Sequence, residues 1–201
     1  LGLTYDPLAE PGFEVGQAAA ADIEALRASD GRNAPISTAF GAGPLQPGLW
    51  VFAPPPSPQI AQTPWMAVMR PFMLASTSQF RAPAPPALTS ALYARDFNET
   101  KAYGSATSAV RTAAQTAIAY FWNANAISQL NQALQNVAIQ HHMDLLDTVR
   151  LLAAGNMVPT DAGMACFDSK YTYNFWRPIT AIRNAGIDGN PATTADPAWT
   201  P

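Results

Sequence analysis

Apolar residues recur at steps of three and four along most of the chain, the spacing that puts side chains on one face of a helix. The first such stretch runs from about Glu14 to Ser29, with Ala18, Ala21, Ile23, Ala25 and Leu26 as its apolar positions. Gly31 stands just past its end as a stop. The periodicity returns at Leu88. Thr89 is placed to cap a helix through Tyr93, Phe97 and Tyr103, ending at Gly104. A second helix, from about Thr107, sets Val110, Ala114, Ala117, Ile118 and Phe121 on one stripe. A third carries Ile127, Leu130, Leu134 and Val137, and extends through Leu145 and Leu152 to a stop near Gly155-Asn156. Thr160-Asp161 caps the next, covering Gly163 to about Phe175. Pro178 opens another at its first turn, where the missing N–H costs little. There is no internal repeat and no alternating strand pattern, so the fold class predicted is all-α.

Between the first helix and Leu88 the texture changes. Twelve of the nineteen prolines lie from Pro35 to Pro86, including Pro54-Pro55-Pro56 and Pro85-Pro86. That density forbids long helices and removes ladder donors from strands. The stretch also holds Trp50, Phe52, Trp65, Phe72 and Phe80, too many aromatics for a solvated linker. The pattern predicts an irregular arm that wraps over the helical body and docks its aromatics there, with a short helix at Met66 to Ser76 interrupted at Pro71. The expected organisation is therefore part of one helical domain over 1–201: a helix in 1–31, a proline-rich arm in 32–87 and a helical body in 88–201.

Composition narrows the function. The net charge of −3, with no run of Lys and Arg, gives no electrostatic basis for nucleic-acid binding. No stretch is long and apolar enough to span a membrane. Only 12% of residues are charged, about half the usual share, which implies a thin polar surface or one that other chain covers. The start, Leu1-Gly2-Leu3-Thr4, reads as mature or trimmed, and the end, Asp196 to Pro201, as a chain that continues.

Lysine is scarce, with Lys101 and Lys170 against nine arginines. Lys170 and Arg177 are seven residues apart within DSKYTYNFWRPITAIR, residues 168–183. Seven residues are two turns of a continuous helix, but Arg177 precedes Pro178 and is biased away from helical angles. Lys170 is therefore expected near the end of one helix and Arg177 at the junction with the next, both facing one dry pocket. A guanidinium fork offers two parallel donors and an ammonium neutralises a third oxygen, a receptor for a tetrahedral oxyanion. Tyr171, Tyr173, Phe175 and Trp176 are expected to lower the dielectric around the pair and hold it rigid. The alternative from spacing alone is two cations on a solvated helix face, with the aromatics serving the core.

The longer string, ACFDSKYTYNFWRPITAIR at 165–183, resembles the first motif of vanadium-dependent haloperoxidase-like proteins, within the type 2 phosphatidic acid phosphatase superfamily. The resemblance extends to Asp188–Thr193 and Asp196–Pro201, and more loosely to Ala84–Ser90 and to Gln115-Thr116 through Trp122. It implies an incomplete helical bundle of the vanadium haloperoxidase or acid phosphatase type, with its first oxyanion motif at 167–183. Lys170 and Arg177 match the lysine and first arginine that neutralise the oxygens of bound vanadate or phosphate. Phe167 matches an aromatic on the halide side of the pocket, though phenylalanine lacks the indole N–H found in chloride-oxidising members; a core role is the other reading.

The family completes its site with a Ser-Gly-His and a Gly-x-His, and neither stands in these 201 residues. The resemblance thus implies a missing C-terminal segment or a partner chain that finishes the pocket, and no turnover by 1–201 alone. The implied activity is oxidation of halide by hydrogen peroxide with vanadate as cofactor. The alternatives are hydrolysis of a phosphate ester in the same pocket, and a non-catalytic helical binding module.

Other candidates carry structural readings. His141 continues the apolar stripe of Leu134 and Val137 and is expected in the core, with His142 on the polar side; His141 and Asp144, one turn apart, can pair. No third ligand at zinc spacing appears, so no metal site is assigned. Cys166 reads as a small buried hydrophobe, and as the only cysteine it excludes an internal disulfide. Asp168 has two readings, a partner for an arginine or a solvated carboxylate. Arg183 has two readings, a contact behind the pocket or a helix C-terminal charge, with the second favoured.

Overall fold

Polar side chains set where the helices begin. In the computed structural model, which describes residues 11–53 and 60–201, six helices form and no strand is found among the described residues. Helix α1 spans Pro11–Arg27. Helix α2, Ala91–Gly104, is capped by Ser90, whose hydroxyl accepts from the Tyr93 N–H. Thr89 is one residue too early for that role. Helix α3, Ala113–Trp122, starts at a reciprocal box: Gln115 N–H donates to the Thr112 hydroxyl while the Gln115 side chain accepts from Thr112 N–H. Its start lies six residues beyond Thr107 because Ser108 and Arg111 form a turn of their own. Asn125 caps α4, Ala126–Gln140.

The sequence reading divides wrongly at the next two elements. Helix α4 ends at His141-His142, and a single long helix α5, Leu145–Tyr173, then runs through both Gly155-Asn156 and Thr160-Asp161. Gly155 is a packing site and no stop. A Cβ there would fall 2.5 Å from Leu134 Cδ1, so the Leu134 side chain of α4 packs directly over the glycine and would have to shift for any larger residue. Asn156 and Asn131 exchange amide hydrogen bonds of 3.1 and 3.0 Å across the same contact. Thr160 bonds back to the Asn156 carbonyl and Asp161 points out of the helix, so neither caps a start. Pro159, also inside α5, lacks the N–H that would bond to Gly155.

His141 is exposed at the C-cap of α4, which corrects its expected core position. Asp144 accepts from Asp147 N–H at the start of α5 and does not pair with His141. Cys166 is exposed on α5 and is no buried hydrophobe.

Between α1 and α2 the described residues form a strap, with a 3-10 turn at Pro64–Ala67 where a helix over Met66 to Ser76 was expected. The reason is Asp161. Its buried carboxylate accepts the main-chain N–H groups of Phe72, Met73 and Leu74 at 2.7, 2.6 and 2.9 Å, donors that a helix would have turned inward. Arg81 then grips Asp168 with two bonds of 2.7 and 2.8 Å. Trp50 is buried as expected, but Phe80 stays 68% exposed, so the docking of the arm's aromatics is partial. Pro54-Pro55-Pro56 lies outside the described residues.

The apolar core forms where α2 meets α6, Pro178–Arg183, and the loop after it. Tyr93, Phe97, Trp176, Ala181, Ile182, Ala185 and Trp199 build it. Ile182 is 1% exposed, and burial of such a side chain contributes roughly 1.5–3 kcal/mol. Polar bonds tie the final loop to α2: Trp199 Nε1 donates to the Lys101 carbonyl at 2.9 Å, and Asn190 donates to the carbonyls of Leu88 and Ser90. Arg183, in the last turn of α6, donates to the Trp199 carbonyl at 2.8 Å. No helix among the described residues is long and apolar enough to cross a membrane.

Candidate functional site

The end of α5 and the start of α6 create the site. Asn174 closes α5 in the left-handed region, φ 44°, ψ 41°, and its N–H donates to the Lys170 carbonyl at 3.0 Å. Asparagine tolerates that conformation better than most residues. The chain then extends through Phe175 and Trp176, and Arg177 is the N-cap position of α6, extended because Pro178 follows. Lys170 thus sits in the last turn of one helix and Arg177 at the head of the next, as their spacing predicted.

The strap supplies the facing wall. Leu49 bridges antiparallel to Phe175, Trp50 N–H donates to the Asn174 carbonyl at 2.8 Å, and Trp176 N–H donates to the Gly48 carbonyl at 3.0 Å. Gly48 adopts φ 75°, a conformation open to glycine, which turns the strap onto the helix end. Between these walls lies a cleft of about 50 Å³ lined by Trp50, Lys170, Tyr171, Asn174, Phe175 and Arg177.

Both cations reach this one cleft and neither is buried. The strap and the helix junction form two walls, and the cations remain solvent-exposed, so the cleft is not the fully dry cavity expected. Tyr171 and Phe175 line the cleft, whereas Trp176 turns into the core and Tyr173 donates to the strap carbonyl of Ala82. Phe167 is half-buried and lies outside the lining. Its ring sits 4.9 Å from Lys170 Nζ and 5.9 Å from the Tyr171 ring, so it touches the site through the lysine.

The electrostatics follow from this crowding. Among the described residues no carboxylate lines the cleft. Partial desolvation by the surrounding walls lowers the Lys170 ammonium below its ordinary range, and the like charge of Arg177 lowers it further. Burial raises the Tyr171 phenol, while Arg177 opposes that rise. The Arg177 Cζ lies 5.8 Å from the Trp50 ring centre. Among the described residues neither cation donates to a carboxylate or carbonyl, in contrast to Arg27, Arg81, Arg111, Arg183 and Lys101. Two uncompensated positive charges beside a concavity free of acids attract an anion.

Two residues of the cleft were given no site role from sequence. Trp50 is some 120 positions away along the chain, and only strap docking brings it here. Asn174 lies within the motif, but nothing in a linear string marks it as a wall of the cleft.

No curated protein and no solved structure matches the chain. Residues 150–201 match the VCPO second helical-bundle domain. That match, about a quarter of the chain, takes in most of α5, all of α6 and the loop after it, with both Lys170 and Arg177. Over these residues the chain is similar to that helical-bundle domain.

Proposed function

We propose that Lys170 and Arg177 form one side of an oxyanion site for vanadate, in a haloperoxidase-like oxidoreductase that uses hydrogen peroxide to oxidise halide. The supporting observation is the pair itself: among the described residues, two cations without a hydrogen-bond acceptor share a cleft that no acid lines. The donor set fits the group. Arg177 presents a planar fork to two oxygens, and Lys170 neutralises charge on another. Bound vanadate supplies Lewis-acid activation of peroxide toward the halide.

The residues of this chain bind and orient. Each cation relieves its repulsion from the other by taking up anionic charge, and the strap and the αL turn at Asn174 fix the backbone that carries them. Phe167 keeps the Lys170 ammonium over an aromatic face. General acid–base work is assigned to histidines outside these 201 residues, so 1–201 alone is expected to bind the oxyanion without turnover.

Arg177→Lys tests the role of the fork while keeping the charge. Vanadate affinity, measured by calorimetric titration, is expected to fall roughly tenfold, the equivalent of about 1.4 kcal/mol. Unchanged affinity argues against the assignment. In the full-length protein, vanadate-dependent bromination by peroxide supports the oxidoreductase. Its absence in saturating vanadate, together with phosphate release from a chromogenic ester, makes the site that of a phosphate-ester hydrolase. Absence of both activities leaves a binding module.

A further inference from the structure

Two residues that line the Lys170–Arg177 cleft carry polar groups with no partner among the described residues. Trp50 is 7% exposed, and its Nε1–H is buried with no acceptor. Asn174 Oδ1 is likewise buried with no donor. Both residues line the cleft. A buried donor and a buried acceptor without partners are unfavourable, and they are rare in folded proteins except where function uses them.

We propose that the cleft selects a protonated tetrahedral oxyanion, with Trp50 Nε1–H donating to one of its oxygens and Asn174 Oδ1 accepting from its O–H. This rests on the oxyanion reading of Lys170 and Arg177 and adds the ligand's protonation state and two further contacts. The two cations balance charge, and they do not distinguish one tetrahedral anion from another. A neutral donor and a neutral acceptor do. Hydrogen phosphate and hydrogen vanadate carry both an acceptor oxygen and a hydroxyl near neutral pH. Sulfate carries no proton there, so Asn174 Oδ1 would face a second lone pair and repel it. The preference arises from leaving a buried acceptor unpaired, a strong form of discrimination.

The geometry holds Trp50 in place for this role. Its main chain is bonded to Asn174, and the Leu49–Phe175 bridge sets the register of the strap against the helix end. Its ring packs edge-on to Phe52 and Tyr171, with centroids 5.3 and 6.4 Å away. Arg177 is exposed, with its Cζ 5.8 Å from that ring, so cation and indole stand on the same side of the cleft.

The experiment titrates the 201-residue chain with inorganic phosphate, orthovanadate and sulfate at neutral pH, by calorimetry and by ¹H–¹⁵N correlation spectra of the indole N–H groups. The expected result is phosphate and vanadate binding at least tenfold tighter than sulfate, with a shift of the Trp50 indole resonance on saturation. Trp50→Phe, which keeps the ring and removes the donor, is expected to weaken phosphate about tenfold. Asn174→Gly, which suits the positive φ, is expected to erase the preference over sulfate. An unmoved Trp50 indole resonance in wild-type chain that binds phosphate overturns the inference and leaves the oxyanion site standing, whether or not the variants fold. Sulfate binding as tightly as phosphate does the same. Phosphate affinity that is absent, or indifferent to Lys170→Gln, overturns the oxyanion site and this inference together.

Discussion

Helix α5 is one continuous element with two unlike halves. From Asp161 to Tyr173 it is held along its length by the strap: Asp161 takes three main-chain donors, Asp168 takes Arg81, and Ser169 accepts from Ala82 N–H. Met164 in this half is fully buried. From Leu145 to Val158 it meets mainly α4, through Gly155 and the Asn131–Asn156 amide pair. Leu145, Leu146, Val149 and Val158 stay more than half exposed, as do Ile118, Tyr120, Phe121 and Trp122 on α3. The two cations stand on the gripped half. Periodic apolar residues made both halves helical, but polar anchors from distant sequence decided which half became a rigid platform for a site.

Removing the strongest anchor is the largest way to break this contrast. Asp161→Ala leaves three strap N–H groups without an acceptor and is expected to cost about 3 kcal/mol, read from the urea midpoint. Burial raises the Asp161 carboxyl, but the N–H groups of Phe72, Met73 and Leu74 and the charge of Arg27 outweigh it, so the net pKa is lowered. A lowered folded-state value means that its contribution is present above the ordinary carboxylate range and is lost as pH falls through the lowered value. Asp161→Asn is therefore expected to flatten the acid limb of the stability curve. An identical acid limb in the variant would show that the anchor is not ionic.

Asn156→Ala probes the other half. It removes the reciprocal amide pair with Asn131 and is expected to cost about 1 kcal/mol. Phosphate affinity at the cleft should not change, because the strap and not α4 supports that end of the helix. A parallel loss of affinity would mean the two halves are coupled.

The smallest effect expected is a gradual one with pH. The protonated Lys170 ammonium is the binding form, so oxyanion affinity should decline as pH rises through its lowered value, before the ordinary lysine range is reached. Arg177→Gln removes the like charge beside Lys170 and should move that decline upward in pH. No movement would separate the two cations electrostatically.

The legible parts of the fold were those governed by neighbours in sequence. Pro178 fixed the start of α6 and the extended backbone of Arg177, so the junction carrying both cations was placed correctly. Local signals misled where a distant group overrode them. Gly155-Asn156 has the composition of a helix stop, but its small size and amide serve α4. Thr160-Asp161 has the composition of a cap, but Asp161 serves a strap almost ninety residues earlier. His141 continued an apolar stripe that turned out to end at it. The open lip of the cleft was equally unreadable, because enclosure depends on which surfaces meet.

By itself the sequence determined the helical class and the segment bearing Lys170 and Arg177, because periodicity and proline geometry are local properties. Tertiary structure alone decided that Trp50 and Asn174 complete the cleft and that its mouth faces solvent. Those outcomes rest on main-chain bonds between the strap and the end of α5, and no local pattern encodes a hydrogen bond that spans 120 residues of chain.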